Sequence, residues 1–285
     1  MRVGVAGFLP TSLAEINDRV VRQARDAGFS GVSLHLTDFS SVTRADLELV
    51  RNMLDNAGLE VAQFNVRNEP LVSSDETLRR AGVQTMQRAC QLARWLNAGN
   101  LYVRPGSLNP AGHWTPHPLN THHSTIARLV HSLREIATTA ESEGVKLALE
   151  GHVISPLDSP ERMREVIEAV DSPALGVNAD PVNMVGSLAE LYDTTSLVDR
   201  LFNHLGKYVV CAHAKDLRYG HSLVLHLDEC VIGEGMMDQV RFLQRFYLCC
   251  PDGYVLIEHY PPEKIPAAKQ ALDRALAQAS LTWDK

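Results

Sequence analysis

Short apolar runs rich in β-branched residues alternate with longer helical patterns from one end of the chain to the other. That alternation limits the fold more than any other feature. Candidate strands fall at 2–7, 31–36, 60–67, 100–105, 145–150, 174–180, 208–214 and 254–259. Each is short, apolar and bounded by Gly, Pro or Asp, the pattern of strands buried on both faces of a parallel sheet. The segments between them step apolar residues by three and four. Ile126, Leu129, Leu133, Ile136 and Ala140 form one such stripe. Met86, Ala89, Ala93 and Leu96 form a second, and Ile265, Ala268, Leu272 and Leu276 a third. Gly28, Gly58, Gly99 and Gly144 are placed to end helices, and Ser12, Asp75 and Ser159 to cap their starts, with Pro160 at a first helical position.

Eight β-then-α units within 285 residues predict an α/β protein, a (β/α)8 TIM barrel forming a single domain over 1–285. The alternative is a doubly wound open sheet. It calls for a glycine-rich phosphate turn after the first strand, and Gly4-x-x-Gly7 is not one. The longest loop expected is 105–124, and loops of that length are usually functional or mobile.

Bulk properties exclude several classes. A formal charge of −7, with no basic block, argues against a nucleic-acid partner. No apolar run is long enough to span a bilayer, and the N-terminus enters a strand-like segment without a signal-peptide pattern. Cys90, Cys211, Cys230, Cys249 and Cys250 form neither a Cys-x-x-Cys pair nor a regular framework, and the adjacent Cys249 and Cys250, in a helical-looking stretch, read as buried thiols. The expectation is a reduced, cytoplasmic protein with no membrane contact.

In barrels of this kind the chemistry sits where strands finish. Strand five ends at Glu150, strand six at Asp180, strand seven reaches His213 and strand eight ends at Glu258. Each is costly to bury alone in an apolar setting. Around one divalent cation, three carboxylates and an imidazole become mutually compatible. Oxygen-rich ligation with one imidazole suits Mn2+, Mg2+ or Co2+ better than a structural zinc, although Zn2+ remains open.

The segments Leu147-Ala-Leu-Glu150, Asp180-Pro-Val-Asn183, His213-Ala-Lys-Asp216, Ile232-Gly-Glu-Gly235 and Ile257-Glu258 resemble the xylose isomerase-like TIM-barrel superfamily. That superfamily includes sugar epimerases, isomerases, inosose dehydratases and a DNA-repair nuclease branch. The resemblance implies Glu150, Asp180, His213 and Glu258 as ligands of one divalent metal. It also implies Glu150 and Glu258 as the acid/base pair that moves an α-proton next to a substrate carbonyl through an enediolate. The nuclease branch carries metal-binding histidines where this chain has Arg104 and Asn183, so a three-metal nuclease site is not assembled here.

The implied substrate is a small sugar or polyol. No Arg/Lys cluster with a glycine-rich cradle stands out, which favours an unphosphorylated one. Relatives are often dimers or tetramers, and the resemblance extends a homo-oligomer to this chain. Three activities stay open: an isomerase or epimerase, a lyase or dehydratase acting on an inosose or 3-oxo-sugar, and a non-catalytic metal-stabilised sugar-binding protein.

Further residues carry two readings each. His152 shares the strand face of Glu150 and is either a substrate contact or a loop histidine. Lys215 meets either a substrate oxygen or Asp216. Arg218 follows on the same loop as a candidate substrate contact. Arg104 binds substrate or forms a structural ion pair, Asn183 is a candidate substrate contact near the metal, and Trp114 is placed to stack on a sugar ring. His113, His117, His122 and His123 crowd the long loop without a defensible metal spacing, and Glu234 reads as a turn residue.

Overall fold

The strands of the computed structural model, which describes residues 1–284, close into a parallel barrel. Its members are β1 (Arg2–Val5), β2 (Gly31–Leu36), β3 (Glu60–Val66), β4 (Leu101–Val103), β5 (Leu147–Leu149), β6 (Leu175–Ala179) and β7 (Val209–Ala214). Two further strands, β8 (Asp216–Tyr219) and β9 (Leu227–Cys230), form an antiparallel hairpin outside the barrel. β10 (Tyr254–Ile257) then closes the ring between β7 and β1. All eight expected strands are present, and the hairpin is an element the periodicity did not show.

Six of the eight barrel strands end earlier than their apolar runs suggest. Ladder bonds still hold the residues just beyond them: Glu150 N–H donates to Val103 O at 3.1 Å and Glu258 N–H to Ala214 O at 3.4 Å. Site side chains therefore stand on backbone fixed by neighbouring strands. The ladder shifts register at two places. Pairing steps from Val32↔Val61 to Ser33↔Gln63, leaving Ala62 as an extra residue, and from Val177↔Val209 to Asn178↔Cys211, leaving Val210. Such bulges re-aim the side chains beside them.

Helices α1 (Asp18–Asp26), α2 (Arg44–Asn56), α3 (Glu76–Leu96), α4 (His123–Glu143), α5 (Pro160–Val170), α6 (Leu188–Tyr192), α7 (Thr194–Leu205), α8 (Gln239–Cys249) and α9 (Ile265–Gln278) complete the chain. Their apolar stripes pack with the outward side chains of the strands in one continuous core. Asp75 and Ser159 cap α3 and α5 as expected, Asp75 accepting the backbone N–H groups of Thr77 and Leu78 and Ser159 that of Arg162. Ser12 does not cap an α-helix: it precedes a single 3-10 turn without a side-chain bond, and Asn17 caps α1. Gly99 likewise ends no helix, because Asn97 takes the left-handed position after α3 at φ 53°. Cys249 and Cys250 are half-buried rather than buried. Among the described residues no helix is long and apolar enough to cross a membrane.

One packed feature explains the sequence pair His213-Ala-Lys-Asp216 and Ile232-Gly-Glu-Gly235. The buried Asp216 carboxylate accepts the backbone N–H groups of Leu217, Gly233, Gly235 and Met237. A Cβ on Gly235 would lie 2.1 Å from Asp216 Oδ1, so only glycine fits. Gly235→Ala is expected to cost about 2–3 kcal/mol by breaking these charge-assisted bonds. Calorimetry should show a Tm roughly 5–10 °C lower.

Candidate metal centre and active site

Glu150 directly follows β5, Asp180 follows β6, His213 lies near the end of β7, and Glu258 follows β10. Strand parity turns them inward: Cys211 faces the barrel interior and His213 is two residues on, while Leu256 does the same for Glu258. One ligand atom from each of the four residues lies within 4.8 Å of the others. Among the described residues this is the sole group of three or more potential ligands, so the histidines of the long loop form no second one. His122 instead caps α4, and His113 bonds Asn68 O.

A chain of buried amides orients the imidazole. Asn178 Nδ2 donates to Glu150 Oε1 at 2.6 Å, and Gln63 Nε2 donates to Asn178 Oδ1 at 3.2 Å. Gln63 is thereby left presenting Oε1 to His213 Nε2, at 3.1 Å. An oxygen there requires the proton on Nε2, which directs Nδ1 at the carboxylates. Gln63 sits beside the bulge at Ala62, and Asn178 beside the one at Val210, so two irregularities of the ladder build this relay.

The donor set fits a divalent cation on two grounds. His213 Nδ1 lies 3.0 Å from Glu150 Oε1 and 3.0 Å from Glu258 Oε2, yet is aligned for a hydrogen bond with neither. Asp180 Oδ2 and Glu258 Oε2 also lack a hydrogen-bond partner, although Lys215 Nζ is 2.9 Å from both. Buried polar atoms left in that state require an explanation. The second ground is charge: with the imidazole neutral, as a metal ligand must be, three carboxylates against one ammonium leave −2 in a buried space, and a divalent ion cancels it.

The titration of the group agrees with the geometry. Burial opposes a charged His213, but Glu258 and Glu150 outweigh it and raise the imidazole to about 10. Burial raises Asp180 to about 6, against the opposing pull of Lys215. Burial also works against the charge on Glu150, yet His213 and Lys215 hold that carboxyl below its ordinary value. A raised imidazole is protonated at neutral pH, and a metal must displace that proton to reach Nδ1. Mn2+ binding at pH 7–8 is therefore expected to release a proton and to tighten as pH rises. Calorimetric titrations in buffers of different ionisation enthalpy measure this directly, and a buffer-independent heat would contradict it. Gln63→Leu, which removes the acceptor at Nε2, is expected to weaken Mn2+ binding about 10–100-fold.

Glu150 and Glu258 of this cluster line a cavity of about 620 Å3 at the carboxyl end of the barrel. His152, Asn183, Lys215, Arg104 and Trp114 all line it. Lys215 pairs with Asp180 and Glu258, not with Asp216. Among the described residues Arg104 forms no ion pair: its Nη2 donates to Asn65 Oδ1 at 2.8 Å and to Val66 O at 2.5 Å. Asn183 stands in a 3-10 turn whose backbone N–H reaches Asp180 Oδ1, and the Trp114 and His152 rings lie 5.8 Å apart. Arg218 is placed differently from the other candidates, exposed on β8 and outside the cavity lining.

Several site residues belong to no motif in the sequence. Tyr102 Oη donates to Glu150 Oε2 at 2.6 Å, so both oxygens of that carboxylate are engaged. Gln63 and Asn178 stand as amides inside otherwise apolar strands, a recognisable sign of an interior polar network. Glu229 and His259 also line the cavity, and no local signal marks them.

The fold and site together define a TIM barrel with four potential metal ligands at its strand ends. A family model described as xylose isomerase-like TIM barrel matches residues 21–277, and the chain belongs to that family. No curated protein matches the sequence. Among solved structures, an L-ribulose 3-epimerase superposes with a TM-score of 0.76 at 17% identity, covering 98% of this chain and 95% of its own. A xylose isomerase-like TIM barrel protein from Mycobacterium smegmatis, in complex with magnesium, gives 0.74 at 16% identity over 98% and 97%. A probable 3-DHS dehydratase from Bacillus anthracis gives 0.71 at 15% identity over 98% and 99%.

Proposed function

We propose that this protein is a divalent-metal-dependent sugar isomerase or epimerase, using Mn2+, Mg2+ or Co2+, that moves a proton on the carbon next to a carbonyl. The observation that carries this reading is that two glutamates, Glu150 and Glu258, belong to one cluster of potential ligands and both line the cavity. Its volume lies within the range of small-molecule sites. Pure sugar binding needs no second carboxylate at such a place. When bound, a divalent cation polarises a substrate carbonyl and makes the neighbouring C–H acidic. Glu258, which is 17% exposed and reaches the cavity beside Lys215, is the group assigned to take that proton. Glu150, held by Tyr102 and Asn178, stands opposite as the second acid/base. His152, Asn183, Lys215, Arg104 and Trp114 bind and orient the sugar.

The asymmetry between the two glutamates favours a second reading, a lyase on an inosose or 3-oxo-sugar. Elimination needs one base at the α-carbon and a leaving group β to it. Solvent-deuterium incorporation into a panel of ketoses, inososes and 3-oxo-sugars, with Mn2+ or Mg2+ added, tests both. Exchange with retained mass composition supports the epimerase, and loss of water or an aglycone supports the lyase. Metal-loaded protein that exchanges nothing across the panel would remove both readings.

A further inference from the structure

Four residues other than glycine have a left-handed backbone among the described residues: Asn97, Asp171, His259 and Ser280. Three of them terminate helices α3, α5 and α9, where that conformation is ordinary. His259 does not. It follows Glu258 at the mouth of the barrel with φ 68°, in a conformation costing on the order of 1–3 kcal/mol outside glycine. Strain of this kind persists where surrounding structure imposes it.

The imposing structure is the hairpin. His259 Nδ1 lies 3.0 and 3.1 Å from the two oxygens of Glu229 on β9. The next residue repeats the attachment, Tyr260 Oη donating to Cys230 O at 2.8 Å. The hairpin is itself anchored at its base by the Asp216 carboxylate. With Nδ1 committed to Glu229, Nε2 is the ring nitrogen left over, and it lies 3.6 Å from Glu258 Oε2. Both side chains remain accessible, at 51% and 44% exposure, and both line the cavity.

We infer that His259 is a substrate-binding, specificity-determining residue whose Nε2 hydrogen-bonds a substrate hydroxyl, and that Glu229 is the positioning residue that aims it. A hydroxyl is the matching group because it can donate to, or accept from, that nitrogen. An oxygen at about 2.9 Å from Nε2 sits beside Glu258. The hydroxyl recognised is therefore the one on the reacting carbon or its immediate neighbour. The assignment rests on the proposed proton transfer at Glu258.

The test uses the full chain loaded with Mn2+ and whichever panel sugar the wild type exchanges. Glu229→Ala and His259→Phe are each expected to raise KM tenfold or more while kcat stays within about threefold. Glu229→Gln, whose amide oxygen still accepts from Nδ1, should recover most of the loss. His259→Asn, which tolerates the left-handed backbone, controls for folding and should behave as His259→Phe does. Calorimetric Mn2+ affinity should be unchanged in all four. An unchanged KM, a loss confined to kcat, or a KM rise matched by weaker Mn2+ binding would each overturn the assignment while leaving the proposed activity intact. A wild type that exchanges no panel sugar would remove the activity, and this assignment with it.

Discussion

Asp180→Ala is expected to leave a folded barrel that no longer holds a divalent ion. Asp180 is buried, with Oδ2 lacking a hydrogen-bond partner and Lys215 Nζ 2.9 Å away. Removing it changes the cluster's balance from −2 to −1 and frees the Lys215 ammonium to repel an incoming cation. Changes behind a ligand typically cost 10–100-fold in metal affinity, so loss of a charged ligand should exceed about a hundredfold. Calorimetry with Mn2+, together with metal analysis of the purified variant, measures this. The barrel should survive, because the strand-end backbone is held by its neighbours and not by the ligands. Full metal occupancy in the variant would take Asp180 out of the ligand set. His213→Ala should act in the same direction, with the added loss of the contact to Gln63.

The part of this site legible in the sequence is the part written in strand ends. Eight apolar runs located the barrel, and reading the residue at the end of each of the last four gave Glu150, Asp180, His213 and Glu258. That works because a parallel strand delivers its terminal side chains to one rim, whatever its length. The supporting groups follow no such rule. Gln63 reaches His213 only because an extra residue, Ala62, shifts the register of β3, and a bulge leaves no mark in a window of apolar residues. Glu229 reaches the cavity on a hairpin inserted after β7, a topology no periodicity specifies. Arg218 follows Lys215 closely in the sequence, but the chain turns into β8 at Asp216 and carries it to the surface. Proximity in sequence implies a shared site along one continuous strand and loses that meaning across a strand break.

Proton transfer supplies the second large effect, and the two glutamates should fail in different ways. In an epimerase each carboxylate serves one face of the reacting carbon. Glu258→Gln and Glu150→Gln should then both reduce epimerisation by about 10²–10⁴-fold, the usual contribution of one positioned base. Exchange need not vanish with it. A remaining carboxylate can remove the proton on its own side and return solvent deuterium to the same face, so each variant should label one epimer without inverting it. The epimer labelled should differ between the two. Glu150 gives a further check on folding: the Tyr102 hydroxyl can reverse its hydrogen bond to meet a glutamine amide, so Tm should change little. In the lyase reading only one carboxylate abstracts the α-proton, and the partial exposure of Glu258 beside Lys215 marks that residue. Glu258→Gln would then abolish exchange while Glu150→Gln retained it with reduced product release. Reactions run at matched Mn2+ loading in both epimers, followed by deuterium position, separate these patterns. Wild-type turnover in Glu258→Gln under those conditions would exclude Glu258 from proton transfer and leave it a ligand alone.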